Sequence, residues 1–235
     1  MNYRHKFATA LTLALPAVVV SLPPAVVNGQ QIPLWRAFWN LFGTSNQLLA
    51  ALALPPLMLV TSASDTSFDA WIAGLAGILA RDRVIVQVRE KGLDALRVQH
   101  LLSRTLARTE PFGCPVVVNS ACGRFAQADG VHLTAADLAA ATQRPGTAIA
   151  GASCHDRTEL EKAATLGLDY AILGPVKPTA SHPGAPGLGW SAFADLVRDL
   201  PMPVYGIGGL TRVDLAEARR HGAHGIAMRS AAFGD

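Results

Sequence analysis

From residue 57 onward the chain alternates short, continuous apolar runs, many of them β-branched, with longer stretches whose apolar residues recur at helical spacing. Strands buried on both faces read as such runs, and the amphipathic stretches suit helices laid over a parallel sheet. The pattern predicts strands over 57–61, 84–89, 115–119, 130–133, 148–153, 170–174, 204–207 and 225–228. Between them it predicts helices over 68–80, 93–108, 135–142, 157–166, 190–199 and 212–221, with a short turn at 124–127. Eight strands and seven connectors imply an α/β fold, the (β/α)8 TIM barrel. The rival, an open doubly wound sheet, carries a glycine fingerprint after its first strand, and Thr61-Ser62-Ala63-Ser64-Asp65 has no glycine. Only seven residues follow Met228, so the last helix is expected to be truncated, with N-terminal helices covering the gap.

The chain before residue 57 follows a different pattern. Residues 7–27 are almost wholly apolar behind Met1-Asn2-Tyr3-Arg4-His5-Lys6, the polarity order of a signal peptide or a first membrane span. Pro16, Pro23 and Pro24 interrupt the run and no clean small-x-small cleavage site follows, which favours a kinked or partial span over a cleaved signal. A second apolar stretch covers 34–59, and Pro55-Pro56 then break the chain. The expected division is a hydrophobic helical segment over 1–56 and a barrel over 57–235. The string 35–52 resembles a membrane segment of the carbon starvation protein family of peptide transporters. Too few spans are present for transport. The resemblance implies a membrane-protein fragment packed on the barrel or on a membrane, with membrane contact through 7–54.

Composition sharpens this division. Half the residues are apolar and the mean hydropathy is +0.28. No Asp or Glu precedes Asp65, whereas Arg4, Lys6 and Arg36 do, so of 20 basic and 17 acidic residues the remainder holds 17 of each. The basic pI of about 9.0 therefore belongs to the leader, and a nucleic-acid-binding stripe is not indicated. Cys114, Cys122 and Cys154 are odd in number and form no C-x-x-C pair, which argues against a disulfide framework or structural zinc and for a reducing, cytoplasmic barrel.

Barrel chemistry sits at the C-terminal strand ends. Gln87-Val88-Arg89-Glu90-Lys91 ends the second strand, and a period of two puts Gln87, Arg89 and Lys91 on one face. An amide with two cations suits a phosphate or pyrophosphate; the alternative is a salt-bridged strand end with Glu90 as partner. Gly206-Ile207-Gly208-Gly209 follows the seventh strand, where backbone N–H groups can approach an anion, and with residues 227–230 forms the late-strand phosphate site common in barrels.

These motifs resemble the thiamine phosphate synthase/TenI family. Gln-x-Arg-Glu-Lys is similar to its pyrophosphate-binding strand. Val118-Asn119, Ala128-Asp129-Gly130-Val131-His132-Leu133, Gly151-Ala152-Ser153-Cys154-His155, Leu173-Gly174-Pro175-Val176 with Pro178-Thr179, and Gly206-Ile207-Gly208-Gly209 follow in the family's order. Ser153-Cys154-His155-Asp156 and the loop from Thr179 through His182 are closer still to the TenI-like domain fused behind Nudix hydrolases, although no Nudix box is present.

The resemblance implies a thiazole phosphate held at Gly208, Gly209 and Ser230, a pyrophosphate at Gln87, Arg89 and Lys91 with His182 beside it, a pyrimidine at Asn119, and further substrate contacts at Ser153 and Thr179. It also implies Mg2+ for a synthase, with Asp137 as the remaining ligand, because Ser120 stands where synthases carry a metal-binding Asp. His182 stands where synthases carry Lys. His155 occupies the place of the proton-moving His of TenI-like thiazole tautomerases, which need no metal. Its bland alternative is a helix cap. Both reactions stay open, beside a catalytically inactive phosphate-binding barrel. A homo-oligomer is a further expectation, and whether a Nudix partner acts separately stays open. His132 is expected to be a buried, hydrogen-bonded residue, and His5, His100, His221 and His224 have no site context.

Overall fold

The computed structural model describes residues 25–27, 30–32, 54–61, 67–179 and 186–229. Two units divide between residues 49 and 50. In the first, Ala25–Val27 and Gln30–Ile32 pair antiparallel with Val27 opposite Gln30. The intervening Asn28-Gly29 is the dipeptide that two-residue hairpin connections favour. The helices expected elsewhere in the leader fall outside the described residues. Among the described residues no helix is long and apolar enough to cross a membrane.

In the second unit eight parallel strands close into a barrel: β1 Leu57–Val60, β2 Val84–Val88, β3 Val116–Asn119, β4 Gly130–Leu133, β5 Ile149–Cys154, β6 Tyr170–Leu173, β7 Val204–Ile207 and β8 Gly225–Met228. Each strand hydrogen-bonds its sequence neighbours, and β8 returns to β1 with Met228 opposite Leu59. The covering helices are α1 Phe68–Leu79, α2 Ala95–Thr109, α3 Ala135–Ala140, α4 Arg157–Thr165, α5 Gly189–Val197 and α6 Leu215–Arg220. The connector after β3 is a single 3-10 turn, Ser120–Cys122, earlier than the turn expected at 124–127. It starts at once because the Asn119 side chain accepts the Ala121 N–H.

Strand alternation divides the core in two. Met58, Val60, Ile85, Val117, Tyr170, Ile172, Tyr205 and Ala227 fill the interior. Leu59, Val86, Val88, Val116 and Val118 face outward and pack with Trp71, Leu75, Leu101, Leu102 and Phe193 of the helices. Burying each large side chain contributes roughly 1.5–3 kcal/mol. Ser67, Asp94, Thr134 and Asp156 accept first-turn amides of α1, α2, α3 and α4, which fixes where these helices begin.

The N-terminal end of the barrel is fastened by charge and hydrogen bonds. Arg144 donates to the carbonyls of Pro145, Thr147, Ala148 and Gly167, and to Asp169 Oδ2 at 2.6 Å. The same Asp169 oxygen accepts the Ala150 N–H, and Asp129 accepts the Val116 N–H. The opposite end is therefore the mouth, where the strand termini of interest meet.

Candidate functional site

A belt of inward polar side chains lies beneath the mouth. From β3, Asn119 donates through Nδ2 to Gln87 Oε1 of β2 at 3.2 Å, and both are buried. From β4, buried His132 lies between Tyr170 of β6, whose hydroxyl is 3.0 Å from Nδ1, and Ser153 of β5, whose Oγ is 2.9 Å from Nε2. Burial, then the charge of Arg89, pushes the imidazole down to about 3, so it is neutral at physiological pH. Tyr170 reaches this place because position 151 is glycine: a Cβ there would lie 2.1 Å from its ring.

Arg89 follows β2 on the side of Gln87, and its N–H donates to Thr61 Oγ1 at 2.9 Å. Burial, then the nearby Arg229 charge, lowers its pKa, although Cys122 and Glu90 act against this. Lys91 is exposed, and Glu90 is buried with its N–H donating to Cys122 Sγ at 3.1 Å. The strand ends at Val88, so its alternation reaches Gln87, while Arg89 and Lys91 follow in the connection, Lys91 in a turn.

Across the mouth, Gly208 and Gly209 have φ of 101° and 62°, conformations that exclude ordinary side chains. They are also crowded from outside. A Cβ on Gly208 would lie 2.6 Å from that of Pro175, and one on Gly209 would lie 2.7 Å from the Pro178 carbonyl oxygen. The loop after β6 is bound to this turn through Val176 N–H to Ile207 O and Lys177 N–H to Gly208 O, and Lys177 Nζ lies 2.7 Å from Asp214. Thr179 packs its methyl near Gly208, and its Oγ1 is buried without a hydrogen-bond partner among the described residues. A buried hydroxyl in that state is suited to a ligand oxygen.

The start of the helix that follows this turn is capped from within the chain. A 3-10 turn, Arg212–Asp214, precedes α6, and Asp214 Oδ2 accepts the Thr211 N–H at 2.9 Å. Hydrogen bonds from Lys177 and Thr211 hold that carboxylate below its usual range, against the opposing effect of burial, which is the largest single influence.

Asp137 sits in the first turn of α3. Its Oδ2 accepts the Ser120 hydroxyl at 2.5 Å and the Thr134 hydroxyl at 2.6 Å, and these bonds lower its pKa. Among the described residues no group of three or more His, Cys, Asp or Glu could hold a metal. A single ionised carboxylate suits Mg2+ when substrate phosphates complete the shell.

His155 lies just beyond β5, before the Asp156 cap. Its side chain is 60% exposed and Nδ1 is 3.1 Å from Glu159 Oε2, which also accepts the His155 N–H at 2.6 Å. These contacts are those of a helix start, away from the belt. His182 and Ser230 lie outside the described residues. Tyr170 was not foreseen as a partner of His132; its signal is parity alone, two residues before the inward Ile172.

The chain matches the family described as thiamine monophosphate synthase over residues 57–232. A putative thiamine-phosphate synthase of Geobacter sulfurreducens is 32% identical over 186 residues, covering 76% of this chain and 87% of that protein. The thiamine-phosphate synthase of Thiobacillus denitrificans is 33% identical over 169 residues, covering 69% and 80%. Thiamine phosphate pyrophosphorylase from Pyrococcus furiosus shares the fold, with a TM-score of 0.58 at 22% identity and coverage of 76% and 87%. Belt, cation corner and glycine turn thus occur within a stretch whose relatives are synthases in name, and the chain belongs to the thiamine monophosphate synthase family.

Proposed function

We propose that the barrel is a thiamine-phosphate synthase, joining a thiazole phosphate to a hydroxymethylpyrimidine pyrophosphate with release of pyrophosphate. The observation that carries this reading is the Gln87–Asn119 pair buried beneath Arg89. It offers amide groups to a heteroaromatic ring at the foot of a cationic corner. Arg89 and Lys91 grip the pyrophosphate, and their charge stabilises it as it leaves. Asn119 orients the pyrimidine, with Ser153 and neutral His132 continuing the polar floor. Gly208, Gly209 and Thr179 receive the thiazole phosphate across the mouth, which brings the ring nitrogen to the pyrimidine methylene carbon.

Asp137 is the residue that would hold Mg2+, with Ser120 as a neutral neighbour. Bound there, the ion would neutralise pyrophosphate charge. A tautomerase would ask His155 to move a ring proton, and the contacts of His155 with Glu159 give that reading no support. Supplying the two substrates with and without Mg2+ and following thiamine phosphate tests the proposal. Metal-dependent product is expected, whereas no product with either substrate order or metal level would refute it. His155→Asn is expected to retain synthase turnover.

A further inference from the structure

We propose that Lys177 is a positioning residue for the thiazole phosphate: its ammonium ties down and neutralises the Asp214 carboxylate beside the glycine turn, and so keeps Gly208 and Gly209 open to an anion that the lysine itself does not touch. This rests on the synthase reading above for the identity of the anion and adds a residue to it.

Lys177 grips the turn after β7 at both ends. Its N–H donates to Gly208 O at 3.1 Å, and its Nζ donates to Asp214 Oδ1 at 2.7 Å. Between these points it packs over Gly209, where a Cβ would lie 2.8 Å from that of Lys177. The other carboxylate oxygen of Asp214 accepts the Thr211 N–H at 2.9 Å. One lysine and one aspartate therefore fasten the stretch from Gly208 to Asp214 to the loop that carries Thr179. The ammonium is already engaged, so the phosphate oxygens fall to the amides of the turn and to the buried Thr179 hydroxyl, which has no partner among the described residues.

The charge matters as much as the tether. The Asp214 side chain is only 9% exposed, whereas that of Lys177 is 42% exposed. Thr211 is two residues beyond Gly209, so their Cα atoms are at most about 7.6 Å apart. The carboxylate that holds the Thr211 amide therefore stands close to any anion on the turn. Unneutralised, it would repel a phosphate dianion, and at a buried carboxylate that repulsion is poorly screened. Arg212, the nearest cation along the chain, is turned elsewhere, its guanidinium donating to Asp82 Oδ1 at 2.8 Å. Lys177 is thus the counter-ion of Asp214.

The test measures binding of a thiazole phosphate, and separately of inorganic pyrophosphate with Mg2+, by calorimetry in the full chain. Lys177→Met keeps the apolar stem and is expected to weaken the thiazole phosphate about tenfold, with pyrophosphate changed by less than about threefold. Lys177→Arg, which can still reach Asp214, is expected to stay within about threefold of the wild type. Combining Lys177→Met with Asp214→Asn removes both charges and is expected to recover most of the loss. A lysine that touched the phosphate directly, or one that only stabilised the fold, would allow no such recovery. Unchanged affinity in Lys177→Met, no recovery in the double variant, or an equal loss for both anions overturns the assignment; Lys177→Gln takes the place of the methionine variant if that does not fold. A wild type without synthase turnover that still shows this loss and recovery refutes the synthase reading while the role of Lys177 stands, and a wild type that binds no thiazole phosphate overturns both.

Discussion

His132 and Ser153 meet through a 2.9 Å contact between Nε2 and Oγ, and the other ring nitrogen of His132 is 3.0 Å from the Tyr170 hydroxyl. A fully buried imidazole with both nitrogens engaged is a spacer holding three strands in register, with no vacant nitrogen for proton transfer.

The pH dependence of stability follows. The folded-state pKa of His132, about 3, is below the ordinary value of 6.5, so its contribution is complete above about pH 6.5 and is lost as pH falls toward 3. Within that window the slope approaches about 1.4 kcal/mol per pH unit. Urea unfolding at several pH values should show this slope in the wild type and a shallower one in His132→Gln. Parallel curves would show that the histidine is not the source.

Gly151→Ala is expected to destabilise the barrel by roughly 2–4 kcal/mol, because Tyr170 cannot keep its place against a Cβ 2.1 Å away. Chemical denaturation measures the loss. The double variant Gly151→Ala with Tyr170→Phe should not recover it, since the clash involves the ring and not the hydroxyl.

Ser120→Asp adds a carboxylate beside Asp137 and removes a hydroxyl that donates to it. Without metal the variant should melt lower than the wild type. In a magnesium titration followed by melting temperature, half-saturation is expected on the order of tenfold lower. An unchanged titration would place the metal elsewhere.

Arg144→Ala removes four carbonyl contacts and the bond to Asp169 at the end remote from the mouth. A loss of about 2–3 kcal/mol is expected, with kcat/KM unchanged. Steady-state kinetics beside urea unfolding separate the two effects.

Strand order and the face of Gln87 were legible because strands buried on both sides leave a period of two that survives in the sequence. The belt was less so. Tyr170 stands at the first position of its strand yet touches His132 near the middle of the barrel, a contact that depends on the register of β4, β5 and β6 together with the space at Gly151. The glycines at 208 and 209 were read as room for an anion, and they also make room for Pro175 and Pro178, which no local pattern reveals. His155 was ambiguous in sequence because a strand-end position and a helix-start position coincide there; the Glu159 contact four residues on is what distinguishes them.

The interlocking of the loop after β6 with the turn after β7 has a consequence for inheritance. A residue larger than glycine at 208 or 209 requires a different backbone at Pro175 or Pro178, and the reverse holds as well. The two segments, some thirty residues apart in the chain, are therefore bound to change together, so that a turn of altered size can arise only by paired substitution.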